Sequence, residues 1–65
     1  MKSSYYKTKR TILIIDSEDS SFTPGLVLPV YMDDISTFGV FDNKDIFRSV
    51  RMLKYAGVDW EYIKE

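Results

Sequence analysis

Along this chain the spacing of apolar positions changes from a strand-like period to a helical one near residue 42. The run Thr11–Ile15 is β-branched and apolar on both sides, the composition of a strand. Ile12 and Ile14 face one way, Leu13 and Ile15 the other. This predicts a central strand, or a strand with one face kept for a partner. A second strand is predicted over Leu26–Met32, with Leu26, Leu28 and Val30 on one face and Val27 and Tyr31 on the other. Pro29 brings no amide donor, so this strand is expected at an edge or broken there. Thr23-Pro24-Gly25-Leu26 has the chemistry of a type II turn, with Pro fixing φ at the second position and Gly supplying positive φ at the third. Ser36–Phe41 reads as a third short strand, with Phe38 and Val40 inward and Gly39 at a bulge or a close contact.

From Asp42 to Gly57 the pattern predicts a helix. At about 100° per residue, Ile46, Val50, Leu53 and Gly57 share one face. Lys44, Arg48, Arg51 and Tyr55 share the opposite one. Asp42 suits the N-cap, with Asn43 competing one residue later. Asp45 suits the first turn and Lys54 the last, and Gly57 suits the left-handed position past the end. Val58–Ile63 reads as a further helical turn capped by Asp59.

The element order therefore predicts a single small α+β domain over residues 1–65, with Met1–Ser4 frayed. A three-stranded antiparallel sheet would be packed by one C-terminal amphipathic helix, followed by a short terminal helical turn. A strongly bent, SH3-like half-barrel is the other form expected of that sheet.

Composition narrows the function classes. The chain has 65 residues, no cysteine and no histidine. It starts with Met1 and carries no tag-like stretch, so it is expected to be a complete small reading frame. A domain of this size buries only about 60% of its unfolded surface. With neither disulfides nor Cys/His zinc ligation to help, a shared interface is expected, and a homodimer is favoured. No segment has the length of a signal h-region or a membrane span, which points to a soluble, cytoplasmic protein without membrane contact. Lacking His and Cys, the chain is expected not to be an enzyme and to need no cofactor.

Net charge is −1, but it is unevenly spread. Residues 1–15 hold four cations and no acid, residues 16–45 hold seven acids against Lys44 alone, and residues 46–54 hold three cations. The acidic stretches Asp16–Asp19 and Asp33–Asp34 can gather Mg²⁺ or Ca²⁺ in principle, although their spacing matches no EF-hand loop. Solvated loop charges are the alternative. Leu53–Ile63, with Gly57 in a turn, loosely fits a helix-turn-helix. Asp59, Glu61 and Glu65 on its surface would repel phosphates.

Two binding readings remain. In the first, the outer helix face Lys44, Arg48, Arg51 and Tyr55, joined by Trp60 and Tyr62, forms a protein-binding surface, since Arg, Tyr and Trp are enriched at interface hot spots. The exposed edge of the strand at Leu26–Met32 would be a second place to pair with a partner. In the second reading, Tyr5, Tyr6, Lys7, Lys9 and Arg10 stack and track single-stranded nucleic acid, helped by Lys44, Arg48 and Arg51. In general character, as a small cysteine-free frame rich in aromatics and charge, the chain is similar to the accessory proteins of phages and mobile elements. That similarity implies an inhibitor or adaptor that binds a host protein. The protein-binding reading is the preferred expectation, with single-stranded nucleic-acid binding as the alternative.

Overall fold

A computed structural model describes residues 4–63. The frayed start expected at Met1–Ser4 lies, apart from Ser4, outside the described residues.

Five strands and one short helix follow one another: β1 (Tyr6–Ser17), β2 (Val27–Met32), β3 (Phe38–Phe41), β4 (Phe47–Ser49), α1 (Val50–Tyr55) and β5 (Val58–Ile63). The strands form one antiparallel half-barrel sheet in the order β4-β3-β2-β1-β5. The expected three-stranded sheet covered by a long C-terminal helix is therefore corrected in both parts. The sheet gains β4 and β5, and the helix shrinks to six residues.

β1 organises the sheet because it is long enough to pair on both sides. Ile12 lies opposite Leu28 of β2 and Tyr62 of β5, and Ile14 lies opposite Trp60. Ile12 and Ile14 are fully buried, and with Phe22, Val30, Val40, Val50, Leu53 and Val58 they form the core. Leu13 and Ile15, on the other face, are half-buried and exposed respectively. The two-sided apolar character of this run thus belongs to an interior strand with one open face.

The helix expected from residue 42 is interrupted by a hairpin. Asp42 does cap backbone amides, but those of a tight turn: its Oδ1 accepts from Lys44 N at 2.9 Å and from Ile46 N at 3.0 Å. The backbone N–H of Asp42 donates to Ile46 O, and Asp45 adopts φ +62. A left-handed residue cannot continue an α-helix, and Asp tolerates it better than most. Phe47–Ser49 then run back antiparallel to Phe41–Gly39 as β4. Only Val50 and Leu53 of the proposed apolar stripe are buried, while Ile46 is 54% exposed. Gly57 does take positive φ beyond the helix.

Val58–Ile63 is also corrected, from a helical turn to an edge strand. The free side of β1 offers unpaired backbone groups over Thr11–Ser17, and β5 takes them. Strict alternation fits this: Val58 is buried and Trp60 packs on the core, while Asp59 and Glu61 are exposed.

β2 sits inside the sheet, which corrects the edge position expected as one alternative from Pro29. Thr11 lies opposite Pro29 just past a register shift in β1, and β3 pairs only with Tyr31 and Met32. The missing donor therefore falls where the ladder is already irregular. The Pro24–Gly25 turn forms as expected, with Gly25 at φ +92 and Leu26 N donating to Thr23 O.

Candidate functional site

α1 carries the chain from β4, at one edge of the sheet, to β5 at the other. It packs on β3, β4 and β5 and so lies across the open side of the half-barrel. Its buried residues Val50 and Leu53 anchor it. The indole N–H of Trp60 donates to the carbonyl of Val50 at 3.2 Å, tying β5 to the helix start. Lys54 Nζ reaches Asp59 Oδ1 at 3.2 Å and the carbonyl of Trp60 at 3.1 Å, which fastens the helix end.

Beside this helix runs a groove of about 400 Å³, lined by residues 36–38, 49–52, Tyr55 and Tyr62. Its rim is apolar and open to solvent: Tyr55 is 85% exposed, Met52 57% and Tyr62 41%. One wall is set by Asp33, whose Oδ1 accepts from Ile35 N at 3.1 Å and Thr37 N at 2.7 Å. That capped turn holds Ser36, with φ +64, and Thr37 ahead of β3. The side-chain hydroxyls of Ser36, Thr37 and Ser49 have no hydrogen-bond partner among the described residues.

Arg10 lies against two of the lining rings, 5.3 Å from the centroid of Phe38 and 5.5 Å from that of Tyr62. Trp60 meets Tyr62 edge-on at 5.0 Å. Among the described residues no carboxylate pairs with Arg10 or with Arg51.

The structure divides the expected helix surface. Arg51, Tyr55 and Tyr62 meet at the groove, with Trp60 adjoining. Lys44 sits far along the chain in the β3–β4 turn, exposed. Arg48 is on β4 and is committed to internal contacts. Its Nη2 lies 3.0 Å from Asp19 Oδ2, its Nη1 lies 3.3 Å from Asp42 Oδ2, and its guanidinium lies over the Phe22 ring at 5.4 Å. Lys44, Arg48, Arg51 and Tyr55 therefore share no helix face.

The N-terminal set is divided too. Tyr5 belongs to an aromatic cluster on the opposite side of the sheet from the core, stacked on Phe47 at 4.6 Å and edge-on to Phe41 at 5.1 Å. Tyr31 joins through Phe41 at 5.1 Å. Tyr6, in register with Met32, is 59% exposed. Because successive strand residues face opposite sides, Tyr5 and Lys7 cannot form one stacking platform with Tyr6 and Arg10.

The acidic loops are used within the fold. Asp19 accepts from Ser21 N at 2.8 Å and meets Arg48. These interactions, the Ser21 amide first, hold its carboxyl below the ordinary carboxylate value. Among the described residues, no three carboxylates are placed to hold a metal ion together. No helix among them is long and apolar enough to cross a membrane.

Phe38, Met52, Ser36 and Thr37 were not among the expected contact residues. Met52 and Tyr55 stand three apart on one helix, which was a legible signal. The approach of residues 36–38 to that helix was not legible.

Comparison of the chain with protein-family models, curated proteins and solved structures gives no match.

Proposed function

We propose that this chain is a small, non-enzymatic, cytoplasmic protein-binding module that acts as an inhibitor or adaptor through the groove beside α1. The observation that carries this reading is the exposure of Tyr55, Met52 and Tyr62 around one concavity. Large side chains left in water around a groove represent apolar area that a partner can cover. Tyrosine in particular supplies contact area at low conformational cost.

Affinity capture with mass spectrometry, after nuclease treatment, tests the reading. The wild-type chain is expected to retain a defined protein, and Tyr55→Asp, which changes a side chain in solvent, is expected to lose it while keeping its melting temperature. Equal retention by the folded Tyr55→Asp chain would remove the groove as the contact surface.

A second reading, binding of single-stranded nucleic acid, has one observation in its favour: Arg10 lies across Phe38 and Tyr62, a cation beside rings that can stack bases. It predicts salt-sensitive retardation of an oligothymidylate that weakens in Tyr62→Ala.

A further inference from the structure

We infer that the groove beside α1 takes an extended acidic peptide, with carboxylates directed to Arg10 and Arg51 and an apolar side chain seated among Met52, Tyr55 and Tyr62. This rests on the protein-binding reading and specifies the chemistry of the partner.

The charges carry the inference. The chain has ten acidic residues against nine basic ones, yet among the described residues none that lines the groove is acidic and one is Arg51. Arg48 is spent internally on Asp19 and Asp42 and Lys54 on Asp59, and Lys7, Lys9 and Lys44, exposed elsewhere, do not line the groove. Arg10 and Arg51 are left with guanidinium donors that no described carboxylate uses. A guanidinium fork matches a carboxylate in both charge and geometry. Arg10 is also held in place by the rings of Phe38 and Tyr62, so less side-chain freedom is lost when an anion binds it. The hydroxyls of Ser36, Thr37 and Ser49 add donors along the lining.

Nucleic acid fits the same groove less well. A phosphate backbone needs a basic track, and the described lining of this groove holds one arginine, Arg51, with Arg10 set against two of its rings. A peptide carboxylate needs only a single guanidinium, not a track.

Fluorescence anisotropy with three labelled probes of equal length tests the inference: a peptide alternating glutamate with leucine, the same peptide with glutamine in place of glutamate, and an oligothymidylate. The glutamate peptide is expected to bind best and to weaken about tenfold in Arg51→Gln and in Arg10→Gln, the loss of one charge-assisted contact. Arg51 is exposed and pairs with no carboxylate among the described residues, so its variant should melt like the wild type. Equal binding of the glutamine peptide, sensitive to Tyr55→Ala but not to Arg51→Gln, would overturn the acidic preference and leave the groove as a docking surface. Preferential binding of the oligothymidylate would overturn both readings. Failure of every peptide to bind would overturn this inference alone, and the capture experiment with Tyr55→Asp then judges the docking reading independently.

Discussion

Arg48 Nη1 lies 3.3 Å from Oδ2 of Asp42, a carboxylate whose side chain is 2% exposed. The other oxygen of Asp42 caps the amides of Lys44 and Ile46, so one buried acid fixes both the hairpin turn and the strand that follows. Through Nη2, Arg48 also reaches Asp19 in the β1–β2 loop. Two backbone bonds run alongside: Asn43 N donates to Ser21 O at 3.0 Å, and Glu18 N to Gly57 O at 3.0 Å. Three separate segments of the chain are thereby joined at one end of the core, over Phe22.

Arg48→Met should destabilise the fold by about 2–3 kcal/mol, because it leaves the buried Asp42 carboxylate without its cation. Urea denaturation measures this. A loss of only a few tenths of a kcal/mol would mean that Arg48 behaves as an ordinary surface ion-pair partner.

Asp19 makes stability depend on pH. Its folded pKa is lowered from 3.8, first by the Ser21 amide and then by Arg48. The folded state thus binds this proton less readily than the unfolded chain does. Its contribution is fully present above the ordinary value of 3.8 and is lost as pH falls below it, through the folded pKa. Melting curves of wild type and Asp19→Asn should differ by a constant amount from neutral pH to about pH 5 and converge under stronger acid. A gap that persists at the acid end would contradict the assignment.

Leu53→Ala and Ile46→Ala separate the hairpin from the long helix. Leu53 is fully buried, and its truncation should cost about 3 kcal/mol through lost transfer energy and a cavity. Ile46 is 54% exposed in the turn, so its truncation should cost under about 1 kcal/mol. On a continuous helix the two would lie on the same buried face and cost alike. Thermal unfolding of the two variants decides between these arrangements.

Gly39→Ala should destabilise by about 1–3 kcal/mol. A Cβ there would stand 2.5 Å from the backbone oxygen of Arg48 and 2.6 Å from Cζ of Phe47. The Phe47 ring covers Gly39 on the aromatic side of the sheet and stacks on Tyr5. Adding Phe47→Leu should recover only part of the loss, since the backbone contact remains. Full recovery in the double variant, measured by chemical denaturation, would show that the ring alone enforces the glycine.

The sequence by itself determined the elements whose signals are local. Ile12 and Ile14 against Leu13 and Ile15, the alternation through Leu28 and Val30 and the Pro24–Gly25 turn all follow from period 2 and turn chemistry, while at Gly39 the sequence left a bulge or a close contact open. The tertiary structure decided Asp42–Ser49 and Val58–Ile63. In the first, an acid before an apolar stripe is as good a cap for a hairpin turn as for a helix, and pairing of Phe47–Ser49 with β3 settles the choice. In the second, Val58, Trp60 and Tyr62 alternate, but a six-residue run does not specify its partner. The free side of β1, supplied by residues more than forty positions earlier, makes it a strand. The groove has the same origin. Arg10, Phe38, the α1 pair Arg51 and Tyr55, and Tyr62 come from four stretches of chain, and only closure of the sheet by α1 and β5 places them together.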